Sequence, residues 1–190
     1  MGIINTIKQA VTNYKLIKSL DESVTEYIEK EKFYVSMPEG SLTELPDDEL
    51  IFAATARADS VINKYTEFAD GLKDLNDEQR LVYALNSLEM EVNNGGLCQF
   101  FVNSSRAFAN AVSEYMEVVG AEEHRALYDG FVSKYEIDLE DLSSFDSDTS
   151  EEFIMQYERY PFDEYDDAFY QLAPLETYLI PYIKANIDRF

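Results

Sequence analysis

LNSLEMEVNNGGLCQFFVNSS, Leu85 to Ser105, is the stretch whose reading decides the fold. Leu81, Leu85, Leu88 and Val92 recur at helical spacing and run straight into Asn93-Asn94-Gly95-Gly96. Paired glycines allow a positive φ, so one helix stops and another starts within a few residues. The second segment sets Leu97, Phe100 and Phe101 on an apolar stripe with Gln99 beside them. This spacing predicts a helix–glycine–helix corner with Gly95 or Gly96 at positive φ and both phenylalanines closing the core. Glu91, Asn93 and Asn94 are expected to satisfy backbone groups around the turn, with Gln99 reaching back to it.

Working outward, each flanking segment is helical. Asn76, with Gln79 three residues on, has the spacing of a capping box and opens the helix that leads into the corner. Upstream, Asp47 or Asp48 is placed to cap a helix carrying Leu50, Ile51, Ala54, Ala58, Val61, Ile62 and Tyr65, and Gly71 breaks the pattern. Downstream, Ser104 or Ser105 is expected to cap a helix bearing Phe108, Val112, Tyr115, Met116 and Val119, ended by Gly120. The next helix, 121–135, is expected to turn Ala126, Leu127, Phe131 and Tyr135 inward. Residues 136–150 are acidic, Ser-rich and irregular, and 151–157 form one or two helical turns. Pro161 interrupts, and helices follow over 162–172 and 175–190, the last containing Pro181. Residues 3 to about 20 read as an amphipathic helix on Ile3, Ile7, Val11, Tyr14 and Ile17, the pattern continues over 21–32 through Val24, Tyr27 and Ile28, and Met37 to Pro46 is a loop. No run alternates as a strand does. The expected class is all-α: a single compact multi-helix domain over 45–190, with an N-terminal amphipathic helical arm over 1–40.

A chain of 190 residues with 46% apolar residues can bury a sizeable core. Its net charge of −23 excludes ordinary phosphate-backbone binding, which needs Lys and Arg to replace counterions. The same charge favours solubility and steers basic partners. The single cysteine cannot form an internal disulfide, and no signal peptide or membrane-spanning run is evident, which fits the cytoplasm. No HExxH, CxxC, P-loop or GxSxG pattern occurs. The single histidine, His124, reads as an exposed surface residue without a catalytic partner, and Cys98, between Leu97 and Gln99, as a small buried core residue. Glu89 and Glu91 are two apart on a helix and face different ways, which argues against a shared cation site. Gly95-Gly96 before a helix has the form of a phosphate cradle, but Arg106 is the nearest basic residue after it. No cofactor is called for. Asp163, Asp166 and Asp167 are the acids to consider for a metal; the default is a solvated face, and no metal ligand is assigned.

The run LEMEVNNGGLCQFFVNSS resembles a helical domain of the DNA-mimic protein family, in which an E-x-N-G-G-x-x-Q-(F/Y)-(F/Y) element follows a helix. Here the element reads Glu91, Asn93 or Asn94, Gly95, Gly96, Gln99, Phe100 and Phe101. Leu75 to Tyr83, the Gly120-Ala121 junction, F-D-x-x-D-x-x-(F/Y)-Y at Phe162 to Tyr170, and Tyr182-Ile183 are also similar, so the likeness spans roughly 45–190. The resemblance implies an α-helical fold, a tendency to dimerise and no catalysis. The family's namesake activity is to present carboxylates as a duplex presents phosphates, so that a DNA-binding protein is occupied; it belongs to individual members, and the corner motif does not transfer it.

Charge must carry the mimicry. Duplex DNA bears one charge per roughly 1.7 Å of axis, and helical carboxylates three or four residues apart have Cβ atoms roughly 5–6 Å apart. Between Glu136 and Asp167 the chain has thirteen acids and one base, Arg159. Glu136, Asp138, Glu140, Asp141, Asp146, Asp148, Glu151, Glu152, Glu158, Asp163, Glu164, Asp166 and Asp167, interleaved with tyrosines, are therefore the expected partner-binding face. The expected function is non-enzymatic binding of a basic protein, such as a DNA-binding protein occupied by mimicry. The alternatives are an immunity or antitoxin-like inhibitor of a basic nuclease, and a metal-dependent enzyme using the Asp163–Asp167 cluster.

Overall fold

The structure, a computed structural model, describes residues 23–38 and 40–190. The helix expected over 3 to about 20 lies outside them. Every regular element among the described residues is helical: α1 (23–36), α2 (Asp47–Ile62), α3 (Phe68–Leu72), α4 (Asp77–Val102), α5 (Val112–Val119), α6 (Glu122–Lys134), α7 (Ser150–Arg159), α8 (Phe162–Phe169) and α9 (Glu176–Ala185), with short 3₁₀ turns between some of them.

α4 organises the rest. Asn76 Oδ1 accepts the Gln79 N–H at 2.8 Å and Gln79 Oε1 accepts the Asn76 N–H at 3.1 Å, the reciprocal cap expected from the sequence. From there Leu81, Leu85, Leu88 and Val92 are fully covered, and α2, α5, α7, α8 and α9 pack around α4. The corner interrupts it with Gly95 at φ −156° and Gly96 at φ 79°, ψ 176°. Beyond it Leu97, Cys98, Phe100 and Phe101 have no solvent exposure. Phe101 meets Phe145 with ring centroids 5.0 Å apart, and Phe162 stacks on Phe131 at 5.2 Å. The second helical segment of α4 thus plugs an aromatic core supplied by α6, the 3₁₀ turn Ser143–Phe145 and α8.

Several local expectations shift. Pro46 is the N-cap of α2, so Asp47 and Asp48 sit inside its first turn with Glu49, where carboxylates favour the positive helix end. Gly71 lies within the short α3. Ser104 and Ser105 do not cap a helix. They begin a 3₁₀ turn, Ser104–Phe108, and α5 starts at Val112 without a side-chain cap. Ser105 Oγ is engaged elsewhere, donating to Glu91. Gly120, at φ 81°, ends α5 as expected.

α6 corrects two readings. Its inward side chains are His124, Tyr128 and Phe131, while Ala126 is exposed. His124 is 1% exposed, not a surface residue. Its ring lies edge-on to Phe169 at 5.2 Å and Tyr178 at 5.8 Å, and burial holds its pKa below the ordinary value. The apolar rings of α8 and α9 choose this face of α6, and they are placed by tertiary packing.

The end of α1 is tied down by Arg57 of α2, which donates to the carbonyls of Tyr34 at 3.1 Å and Met37 at 2.8 Å and to the Phe190 oxygen at 3.0 Å. Tyr34 is buried beside Phe52. Val24, Tyr27 and Ile28, earlier on the same helix, are exposed.

Candidate functional site

The corner and the acidic run, about seventy residues apart in sequence, meet in space. Leu97, the first residue after Gly96, donates its N–H to Asp166 Oδ1 at 2.9 Å. Tyr170 donates its hydroxyl to the Val92 carbonyl at 2.7 Å. The anion position at the start of the Leu97–Val102 helical segment is therefore filled by the chain's own carboxylate, which answers the phosphate-cradle reading. A Cβ on Gly96 would lie 2.1 Å from Asp166 Oδ2, so the missing side chain is what lets α8 approach.

Gln99 reaches back across the turn as expected, but Glu91 completes the corner by a different route from the one expected. Glu91 takes side-chain donors, not backbone groups: Gln99 Nε2 at 2.5 Å, Asn103 Nδ2 at 2.9 Å and Ser105 Oγ at 3.1 Å. Asn93 and Asn94 are exposed. Glu89 faces the other way, as its spacing requires, and accepts the Leu175 N–H at 2.8 Å ahead of α9.

The carboxylates expected to form one binding face divide into three groups. Asp166 is the correction: it is 5% exposed and holds the corner, so it is not a surface acid. Others serve local structure while staying exposed or half-buried. Asp163 accepts from Tyr157 Oη, and Asp138 and Asp141 accept the N–H two residues on. Glu152 accepts from Asp148 N at 2.7 Å and closes the Thr149 capping box of α7. Asp146 pairs with Arg106 at 2.7 Å and Glu164 with Lys134 at 3.7 Å. Glu136, Glu140, Asp148, Glu151, Glu158 and Asp167 are exposed, and their carboxylates carry no ion pair among the described residues. A cleft of about 340 Å³ between the corner and α8 is lined by Asp163, Asp166, Asp167, Tyr157 and Tyr170.

No catalytic or metal constellation emerges among the described residues. Cys98 is buried, and burial pushes its thiol up to about 12, far from a reactive thiolate. His124 faces aromatic rings. No group of three His, Cys, Asp or Glu side chains is arranged to hold a metal ion among the described residues. None of the described helices is long and apolar enough to cross a membrane.

Asp166 yields a pH prediction. Burial raises its pKa to about 6; the Leu97 N–H opposes the shift, and Asp163 and Asp167 add to it. Tyr157, Tyr165, Tyr170 and the Cys98 thiol are the other titratable groups around it. A carboxyl whose folded pKa lies above its unfolded value contributes stability that is fully present below the unfolded value and lost as pH rises through about 6. Asp166→Asn keeps an acceptor for Leu97 and cannot ionise. Wild type should therefore gain roughly 1–1.5 kcal/mol on the variant between pH 8 and pH 5 in urea melts. A pH-independent difference would show that Asp166 ionises alike in both states.

Sequence reasoning missed the burial of His124 and Asp166, the Arg57 clamp, and a groove of about 880 Å³ beside the corner. A search among curated proteins and one among solved structures find no match. The family model described as DMP19-like protein matches residues 73–186, from just before α4 to just past α9. That span holds both the glycine corner and the acidic helix locked to it, and the chain belongs to the DMP19-like family.

Proposed function

We propose that this protein is a non-enzymatic, cytoplasmic binder of a basic protein, occupying the DNA-binding surface of that partner by presenting carboxylates in place of phosphates. One observation carries the reading. Around the 3₁₀ turn Ser143–Phe145, α7 and α8, twelve of the thirteen acids from Glu136 to Asp167 stay exposed or half-buried, and cations pair with only Asp146 and Glu164 among the described residues. Membership of the DMP19-like family supports it. Left uncompensated, such a surface repels itself, and a basic partner relieves that repulsion. The proposed binding residues are Glu136, Asp138, Glu140, Asp141, Asp146, Asp148, Glu151, Glu152, Glu158, Asp163, Glu164 and Asp167. A homodimer belongs to the same proposal and is checked by light scattering.

The test is affinity capture from the native cell, followed by competition. The captured partner should bind duplex DNA, and the protein and the duplex should displace one another. A partner that holds both at once would refute mimicry. A captured nuclease whose active site is blocked would instead favour the inhibitor reading.

A further inference from the structure

Beside the corner, and lined by none of the acids from Glu136 to Asp167, α1, α2, α3, α4 and the 3₁₀ turn Ser104–Phe108 enclose a groove of about 880 Å³. Cavities of roughly 300–1,000 Å³ are the usual size of a ligand pocket. Tyr27, Phe52, Phe68 and Tyr83 form an aromatic wall. Among the described residues Asp59 and Glu91 are its two carboxylates, and no Lys, Arg or His lines it. Among the described residues both carboxylates hold only neutral donors. Tyr83 Oη donates to Asp59 at 2.7 Å, and Glu91 takes the amides of Gln99 and Asn103 and the Ser105 hydroxyl.

One ring of the wall shows the affinity of these faces for a cation: Lys30, which does not itself line the groove, has its Nζ 5.0 Å from the centroid of the Phe52 ring. Burial raises the pKa of Asp59, the Tyr83 hydroxyl opposes the shift, and Glu31 adds to it. A positive group entering the groove would relieve that penalty. Asn86, Asn94 and Gln99 place carboxamides along the same surface, which can donate to and accept from a peptide backbone. Among cations, a planar guanidinium suits a carboxylate beside ring faces better than an ammonium does.

We propose that this groove receives an arginine-bearing extended segment of a protein partner, with a guanidinium against Asp59 and over the aromatic wall. The inference rests on the reading of the protein as a binder of basic proteins, but it assigns a second contact that recognises side chains where the acidic face supplies long-range attraction.

The probe is a fluorescent acetyl-Gly-Arg-Gly-Arg-Gly-amide, measured by anisotropy at 0.15 M salt, with its citrulline counterpart as neutral isostere. The arginine peptide should bind at least tenfold more tightly than the citrulline one. Asp59→Asn removes one charge of a net −23 and should still weaken arginine-peptide binding at least tenfold. Ser87→Arg, at a half-buried lining position on α4, puts the protein's own guanidinium in the groove and should abolish binding. Thermal melts confirm that each variant is folded. Neutralising Glu140, Asp148, Glu151 and Glu158 should leave peptide affinity within about threefold, which separates failure of the groove from failure of the acidic face. Equal affinity for the two peptides, or folded Asp59→Asn and Ser87→Arg variants that bind like wild type, would overturn the assignment.

Discussion

Gly96→Val should lower the unfolding free energy by more than about 3 kcal/mol, the largest loss expected from one substitution in the corner. Two effects combine. At φ 79° and ψ 176° the backbone occupies a region open essentially to glycine alone, where any other residue is strained by roughly 1–3 kcal/mol. A side chain there also meets the carboxylate of Asp166, whose Oδ2 would lie 2.1 Å from the new Cβ. Asp166 cannot yield without giving up the Leu97 N–H, and an unpaired buried donor carries a penalty of roughly 1–3 kcal/mol. In a chain of this size each kcal/mol moves the melting temperature by about 2–4 °C, so the drop should approach 10 °C. Gly95→Ala is the internal comparison. Gly95 has a negative φ of −156°, and its added Cβ meets the terminal amide of Gln99, which can swing aside. It should cost about 1 kcal/mol, through loss of the Gln99–Glu91 hydrogen bond. Similar melting for wild type and Gly96→Val would mean that the corner is a tolerant loop and that α8 is held by other contacts.

The contrast between these two glycines shows how far the sequence could be read. Local rules reach features fixed within one or two turns. The Asn76–Gln79 cap, the positive φ in the glycine pair, the end of α5 at Gly120 and the burial of Phe100 and Phe101 all follow from spacing and steric limits. What those rules could not supply was partner choice between distant segments. Asp166 reads as one more acid in an acidic run until α8 is set against the corner, and then it becomes the buried carboxylate that completes a helix start. His124 reads as polar and therefore exposed, yet Phe169 and Tyr178 surround its ring. Ser105 has the form of a helix cap, but Glu91, fourteen residues earlier, takes its hydroxyl. The groove lined by Asp59 and Glu91 exists only because five elements converge, and no spacing within one of them announces it.

Removing charge from the acidic face should change how fast the partner arrives more than how long it stays. The substitutions to make are Glu140→Gln, Asp148→Asn, Glu151→Gln and Glu158→Gln together. All four are exposed, and none of these carboxylates makes a hydrogen bond or ion pair among the described residues, so the fold should melt as before. Asp163 and Asp166 are left intact because Tyr157 and Leu97 depend on them. Electrostatic steering raises association rates by roughly 10–1,000-fold. Loss of four uncompensated charges from one face should therefore slow association with the captured partner about tenfold at low salt. The difference should shrink as salt rises, because at physiological ionic strength charges more than about 8–10 Å apart are largely screened. Neutralising Glu26, Glu29 and Glu31 on α1 is the control. Lys30 and Lys32 stand among those acids, so the local field there is already mixed and the effect on association should be smaller. The decisive measurement is association kinetics for wild type and both sets of variants at two salt concentrations. If binding proves indifferent to salt, or if the two sets slow it equally, the run from Glu136 to Asp167 has no privileged role and the charge acts only to keep the protein in solution.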